Sequence, residues 1–243
     1  MRISVCMASY NGSSFIQEQI TSILNQTEKV DEICIVDDCS KDDTVDIVKG
    51  FNAKEINLSC NDVNLGYVKT FEKSIESSTG DIIFLCDQDD IWSTNKVEVM
   101  LRAFNKNPDI SMVCHDVNVV DQDNKPLSGV NISISPGIYR YFSLFQELFK
   151  PRIFGCVCAF RGQLKNTYLP FNRYVYTHDH WLTINGMLNG GCLVINDKLI
   201  NYRRHPFALT KHKSDPFIEK LINRVYFVFM LSLVLKSKLI GKN

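Results

Sequence analysis

The first half of this chain is punctuated by short apolar runs, each closing on a polar or acidic cluster and separated from the next by a stretch of helical period. Residues 3–8 read as a buried strand that ends at Ser9-Tyr10-Asn11. After the turn Asn11-Gly12-Ser13-Ser14, the residues Phe15, Ile16, Ile20, Ile23 and Leu24 fall on one helical face. A second strand over 33–36 ends at Asp37-Asp38, and Thr44, Val45, Ile47 and Val48 mark a short helix. A strand over 56–59 and a helix over 68–75 follow. Gly80 breaks the chain before a strand over 81–86, which closes on Asp87-Gln88-Asp89-Asp90. A helix over 95–104 and a strand over 110–114 complete the series. This alternation predicts βαβ units and an α/β domain with a mostly parallel central sheet.

The second half is less regular. Aromatic residues cluster over 139–149, and 154–160 is a dense apolar run. His178-Asp179-His180-Trp181 opens a predicted helix that reaches Leu188, and a strand over 192–195 leads to Tyr202-Arg203-Arg204-His205. With no internal repeat and no Gly/Ser/Pro linker, the reading is one domain over 1–212, in halves 1–114 and 115–212, plus a tail over 213–243.

Charge narrows the partners. Lys and Arg number 27 and so do Asp and Glu, and a neutral chain lacks the basic excess of a nucleic-acid binder. Nine cysteines, an odd number without a CxxC pair, sit mostly inside apolar runs. They read as reduced, buried thiols of a cytoplasmic protein rather than a disulfide framework or a zinc site. The N-terminus enters a strand-like run directly, without the features of a signal peptide. No run of 18 apolar residues exists to span a membrane.

The tail differs from the rest. From Lys198 onward ten Lys/Arg face two Asp/Glu, and Val225-Tyr226-Phe227-Val228-Phe229-Met230-Leu231 is apolar on all sides between Arg224 and Lys236. Such a helix suits the interface of an anionic membrane, which predicts a peripheral protein on the inner face of the cytoplasmic membrane. The alternatives are a buried C-terminal helix or a homodimer contact.

In an open α/β sheet, ligands gather at the carboxyl ends of the strands, where Ser9-Tyr10-Asn11, Asp37-Asp38 and Asp87-Gln88-Asp89-Asp90 stand. Converging carboxylates repel unless a cation or donors compensate, and hard oxygen ligands suit Mg²⁺ or Mn²⁺ beside substrate phosphates. The bland alternative is that these residues cap the following helices. No GxGxxG follows the first strand and no GxxxxGK[ST] occurs, which removes dinucleotide-binding dehydrogenases and P-loop enzymes. A receiver-like α/β module would carry its acidic pair after the first strand, where Ser9-Tyr10-Asn11 stands instead.

The series Ala8-Ser9-Tyr10-Asn11, Ser22-Ile23-Leu24-Asn25-Gln26, Val36-Asp37-Asp38-Cys39-Ser40-Lys41-Asp42, Asn64-Leu65-Gly66, Gly80-Asp81 and Cys86-Asp87-Gln88-Asp89-Asp90-Ile91-Trp92 resembles family 2 glycosyltransferases of the GT-A, Rossmann-like fold. The resemblance covers roughly residues 1 to 210. The Asp-Gln-Asp-Asp-Ile-Trp variant, with His178-Asp179-His180-Trp181 and Tyr202-Arg203-Arg204-His205, is most similar to bacterial enzymes of surface polysaccharide assembly, rhamnosyltransferases and hexosyltransferases among them.

That resemblance implies an inverting transfer from a nucleoside-diphosphate sugar (UDP-hexose or dTDP-rhamnose type) to a sugar hydroxyl of a lipid-linked glycan acceptor in O-antigen- or capsule-type synthesis. It implies dependence on Mn²⁺ or Mg²⁺, with a nucleotide-sugar half over 1–114 and an acceptor half over 115–212. The Gln-x-x-Arg-Trp motif of processive relatives is absent, which points to single additions.

By resemblance, Ser9, Tyr10 and Asn11 line the base and ribose pocket, Asp38 accepts from the nucleobase, and Asn64 and Gly66 approach the nucleotide. Asp87 and Asp89 form the DxD element, with Asp89 on the metal and Asp87 facing ribose or metal. Arg203 and Arg204 reach the diphosphate, and His205 is a second candidate metal ligand. Trp92 and Trp181 are candidate sugar platforms or core residues, and His115 and Asp116 candidate flanks of the acceptor cleft. The catalytic base is Asp179, with His178 or His180 as the alternative, because relatives show Glu-Asp where this chain has His178-Asp179. A sugar nucleotidyltransferase of related fold is the competing enzyme, although Asn11-Gly12-Ser13-Ser14 lacks its basic, Gly-rich loop.

Overall fold

A computed structural model describes residues 1–130, 132–140, 143–144, 153–206 and 217–240. Among them nine strands form one sheet: β1 (Ile3–Ser9), β2 (Glu32–Asp37), β3 (Ile56–Cys60), β4 (Ile82–Cys86), β5 (Ile91–Trp92), β6 (Met112–Val120), β7 (Gly137–Tyr139), β8 (Cys158–Arg161) and β9 (Cys192–Arg203). The helices are α1 (Ile16–Leu24), α2 (Thr44–Gly50), α3 (Tyr67–Ser77), α4 (Lys96–Lys106), the single turn α5 (Lys165–Tyr168), α6 (His178–Leu188) and α7 (Phe217–Ile240).

The spatial order is β3-β2-β1-β4-β8-β6-β9-β5, with β7 also on β9. The chain steps outward from β1 to β2 and β3, then returns to place β4 on the other side of β1, all in parallel. A crevice opens beyond the strand ends at such a reversal, which brings the ends of β1, β2 and β4 to one edge. Beyond β4 the sheet is mixed. Strand β8 runs antiparallel to β4 and β6, β9 runs parallel to β6, and β5 and β7 run antiparallel to β9. The strands of residues 1–86 are thus all parallel, and the rest of the sheet combines the parallel β6–β9 pair with antiparallel ones.

The apolar runs explain the core. β2 and β4 are buried along their whole length, as strands covered on both faces must be. Helix α1 lays Ile16, Ile20 and Ile23 on the sheet, each fully buried. Removing each such side chain from water contributes roughly 1.5–3 kcal/mol. Helix α3 buries Phe71 and Ile75, and its Ser74 hydroxyl donates to the Cys34 carbonyl at 2.7 Å, docking the helix on β2.

Two strands are longer than their sequences suggest. β6 and β9 pair across irregular register near Asp116, and β9 continues through the exposed Asn196-Asp197-Lys198 to Arg203. All nine cysteines are free thiols and seven are buried, with Sγ of Cys114 at 3.0 Å from Cys158 and 3.3 Å from Cys192. Most of the aromatic run 139–149 and the expected boundary near 212 lie outside the described residues. Helix α7 buries Phe227, Met230 and Val234 while Leu221, Ile222, Val225, Val228 and Phe229 stay exposed. No described helix is long and apolar enough to cross a membrane.

Candidate active site

The crevice at the strand ends is a cavity of about 650 Å³. Ala8, Ser9, Tyr10, Asp38, Asn64 and Gly66 line it from the parallel half, and Tyr67, Thr70 and Phe71 from α3. Asp87, Gln88 and Asp89 come from the loop after β4, and Tyr176, Thr177, His178, Asp179, Tyr202 and Arg203 from the second half.

The loops that follow β1 and β2 are fixed by side-chain hydrogen bonds. Ser9 Oγ donates to Asp37 Oδ2 at 2.9 Å, and the Ser40 amide and hydroxyl donate to the same carboxylate. The Gln88 amide clasps Tyr10, accepting from its N–H at 2.9 Å and donating to its carbonyl at 3.1 Å. This clasp needs Gly12, since a Cβ there would come within 2.5 Å of the Gln88 amide carbon. Asn11, expected in the base pocket, is not on the cavity lining. Its backbone is left-handed (φ 47°) and its side-chain oxygen accepts from the Lys41 N–H at 2.8 Å, so it braces the 40–41 loop instead.

Asp38 lines the cavity and is almost fully buried. Its carboxylate accepts from Leu65 N–H, Gly66 N–H and the Asn61 amide, all at 2.8 Å. A carboxylate offers about four lone-pair positions, so roughly one remains for a ligand donor. The cap of α2, the alternative role, falls to Asp43 rather than Asp38, and the preceding Asp42 accepts from Thr44 N–H at 3.1 Å. Gly66 lines the cavity, with open space where a Cβ would stand. Its φ of 81° is what favours glycine there.

The acidic loop after β4 is crowded. Asp87 and Asp89 line the cavity, whereas Asp90 and Cys156 are buried behind them. Ligand atoms of Asp87, Asp90 and Cys156 lie within 4.8 Å of one another. Burial and the neighbouring Asp89 charge push the Asp87 carboxyl up to about 7, and the same causes raise Asp90 well above the carboxylate range. Asp90 Oδ1 accepts from the Arg203 N–H at 3.0 Å, while Oδ2 faces only the weak thiol donor of Cys156. A buried carboxylate oxygen so poorly matched, among crowded acids, fits a site for a divalent cation. Asp89 and His205, expected as ligands, are brought together, with Nε2 and Oδ2 2.9 Å apart. A cation that met a ligand in the cavity would be held by Asp87 and Asp89, which line it, whereas Asp90 does not.

Arg203, not Arg204, reaches the cavity. Its guanidinium donates to the Asp89 carbonyl at 2.9 Å, the Gln122 carbonyl at 2.6 Å and the Glu18 carboxylate, tying the acidic loop to β9. Arg204, just past the end of β9, sets its guanidinium carbon 5.8 Å from the centre of the Tyr202 ring. Trp92 and Trp181 are core residues, not sugar platforms: Trp92 packs on Phe84, and Trp181 Nε1 donates to the Tyr168 carbonyl at 2.8 Å. His115 and Asp116 are buried and absent from the lining.

At the start of α6, His178 and Asp179 enter the cavity together. His178 stacks on Phe71 at 4.1 Å, and its Nε2 lies 2.8 Å from Asp179 Oδ1, an ion pair by distance whose N–H is not aligned on the oxygen. Burial opposes charge on both groups, yet each partner's charge prevails, holding His178 above and Asp179 below its usual range. The Gly155 N–H near Asp179 also lowers its carboxyl. A Cβ on Gly155 would stand 2.6 Å from Asp179 Oδ1 and 2.7 Å from His178 Nε2, so only glycine admits the pair. His180 packs edge-on against Phe227, away from the cavity, which leaves Asp179 and His178 as candidates for the base. Sequence reasoning missed Gly155, Cys156, Tyr67, Phe71 and Tyr176. Phe71 could have been found as the inward face of α3, but nothing local marks the others.

The chain is similar to known proteins. The family model described as Glycosyl transferase family 2 matches residues 4–168. The Escherichia coli UDP-Glc:alpha-D-GlcNAc-diphosphoundecaprenol beta-1,3-glucosyltransferase WfgD is 26% identical over 240 residues, 93% of this chain and 90% of that protein. The putative teichuronic acid biosynthesis glycosyltransferase TuaG of Bacillus subtilis is 26% identical over 238 residues, with the same coverage of 93% and 90%. An uncharacterized glycosyltransferase of Nostoc is 29% identical over 52% of this chain and 40% of its own length. In structure, S. aureus TarS 1–349 in complex with UDP-GlcNAc superimposes with a TM-score of 0.72 at 17% identity, covering 97% of this chain and 72% of TarS. A family match across more than half of the sequence, on a fold shared with TarS, places the chain in glycosyl transferase family 2, with the GT-A fold.

Proposed function

We propose that the protein is an inverting, divalent-metal-dependent transferase that moves a hexose from a nucleoside-diphosphate sugar, of UDP-hexose or dTDP-rhamnose type, to a sugar hydroxyl of a lipid-linked glycan in bacterial surface-polysaccharide synthesis. The observation that carries this reading is one cavity holding the acidic pair Asp87 and Asp89 together with the His178–Asp179 pair. The names of similar proteins support the substrate classes: WfgD uses UDP-Glc and a diphosphoundecaprenol-linked GlcNAc, and TarS is seen with UDP-GlcNAc. Family membership sets aside the receiver-like module and the sugar nucleotidyltransferase.

In this reading Ser9, Tyr10, Asp38, Asn64 and Gly66 hold the nucleotide, the free acceptor position of Asp38 taking a nucleobase N–H. Asp87 and Asp89, with His205 beside them, would hold Mn²⁺ or Mg²⁺, which supplies counter-charge to the departing diphosphate. Asp179 takes the proton of the acceptor hydroxyl. The position in the first turn of α6 and the neighbouring imidazolium keep it ionised and oriented. A carboxylate this acidic suffices because the hydroxyl releases its proton late, as its bond to the sugar forms.

The exposed apolar face of α7 and its Lys/Arg residues support a place on the inner face of the cytoplasmic membrane, where a lipid-linked acceptor is met. Removal of residues 216–243 should shift the protein to the soluble fraction, and a shift from dimer to monomer would mark a homodimer contact instead.

The deciding experiment is a screen of UDP-, GDP- and dTDP-sugars for nucleotide release, with Mn²⁺ and with EDTA. One donor should be hydrolysed slowly, and only with the metal. Release from none, or release undiminished by EDTA, would overturn the reading or its metal dependence respectively.

A further inference from the structure

Next to the catalytic pair, the cavity wall continues into a run of exposed aromatic rings. Tyr176 lines the cavity, is 53% exposed and precedes the His178–Asp179 pair by two residues. Its ring stacks on Tyr226 of α7, itself 40% exposed, with centroids 5.3 Å apart and planes 15° from parallel. Behind them Tyr174 meets Phe229 of α7 edge-on at 5.5 Å, and both remain exposed. On the inner side Tyr67 donates its hydroxyl to the Tyr176 carbonyl at 3.2 Å, fixing the platform to α3.

Aromatic rings left half in water beside a polar cavity are costly to leave uncovered and well suited to a ligand with one apolar face and a hydroxylated rim. A pyranose is such a ligand. Its axial C–H groups form an apolar patch that fits a flat ring, while tyrosine hydroxyls can meet its rim. The aliphatic outer face of α7, with Val225 and Val228, lacks such hydroxyls and turns from the cavity.

We propose that Tyr176 and Tyr226, backed by Tyr174 and Phe229, form the acceptor subsite, a platform on which the acceptor hexopyranose lies with its reacting hydroxyl toward Asp179. The subsite rests on the glycosyltransferase reading above and assigns α7 a part in substrate binding. Its occupant is a saccharide ring, continuous with the donor cavity through Tyr176.

The test uses the full chain loaded with whichever of UDP, GDP or dTDP it binds by calorimetry. Saturation-transfer NMR is then recorded with methyl glycosides of glucose, galactose, N-acetylglucosamine and rhamnose. At least one glycoside should bind the wild type. Tyr226→Ala should weaken that binding about tenfold or more, and Tyr226→Phe should keep it within about twofold, with nucleotide affinity unchanged in both. Binding of no glycoside, or equal binding by Tyr226→Ala, would overturn the subsite. Loss of nucleotide affinity in Tyr226→Ala would also overturn it, by making α7 a support of the fold. Failure of the wild type to bind any nucleotide would instead remove the donor reading beneath it.

Discussion

The two walls of the cavity are built by different means. On the side of β1, β2 and β4, Asp37, Asp38, Asn11 and Gln88 are bonded to backbone groups of neighbouring loops, so the wall is a mesh of short hydrogen bonds within residues 9–88. On the opposite side, a half-buried ion pair and stacked rings join α3, α6, α7 and the turn at Gly155, drawn from positions 67 to 229. A mesh tolerates the loss of one strand poorly in stability, because donors are left buried and unmatched. A wall of stacked and paired groups should lose function first and stability second.

Asp179→Asn is the sharpest way to break that contrast. Transfer should fall by about 10²–10⁴-fold, with nucleotide affinity and melting temperature close to wild type. Calorimetry alongside rate measurement checks it, and a comparable rate in the Asn variant would pass the base role to His178. The mirror experiment, Asp38→Ala, strands the Leu65 and Gly66 N–H groups and the Asn61 amide. A loss of about 2–4 kcal/mol in urea unfolding is expected, together with weaker nucleotide binding. Were stability unchanged, the mesh would not be what holds this wall.

A smaller effect is expected of Gly12→Ala. The new methyl displaces the Gln88 amide from Tyr10 at about 1 kcal/mol, and nucleotide affinity should drop more than stability.

The smallest is a pH effect on the His178–Asp179 pair. His178 is raised above 6.5, so its contribution is complete below that value and is lost as pH climbs through the folded-state value. Asp179 is lowered below 3.8, so its contribution is complete above that value and is lost as pH falls through the folded-state value. The stability difference between wild type and His178→Gln should therefore be greatest between about pH 4 and 6.5 and shrink on both sides. A difference independent of pH would mean that the imidazole acts through packing on Phe71 alone.

The same contrast decides what could be read before the fold was known. Strands β1 to β4 and their acidic ends are visible because each is a local period closed by a local cluster, and Ser9, Asp38 and Asp87 inherit their place from the strand they follow. Arg203 and Arg204 could not be told apart because the 192–195 run conceals a strand that continues through Asn196-Asp197-Lys198. Without that continuation nothing local marks Arg203 as the strand's last residue and the one at the cavity. Gly155 and Tyr226 are invisible for another reason. One matters through a distance to Asp179 and the other through a ring on Tyr176, and neither leaves a period or a motif in the chain.

The crowding of Asp87, Asp89 and Asp90 also bears on how the protein persists in the cell between turnovers. Selection for durability alone would replace one of the three with asparagine and remove the repulsion. Retaining all of them makes the empty protein the more fragile form and ties its lifetime to supply of whatever neutralises the cluster. A ligand at a hundredfold excess over its dissociation constant adds about 2.7 kcal/mol, enough to change the unfolded fraction roughly a hundredfold. Starvation for that ligand would then show first as faster proteolysis of this chain, before any change in how fast the surviving molecules work.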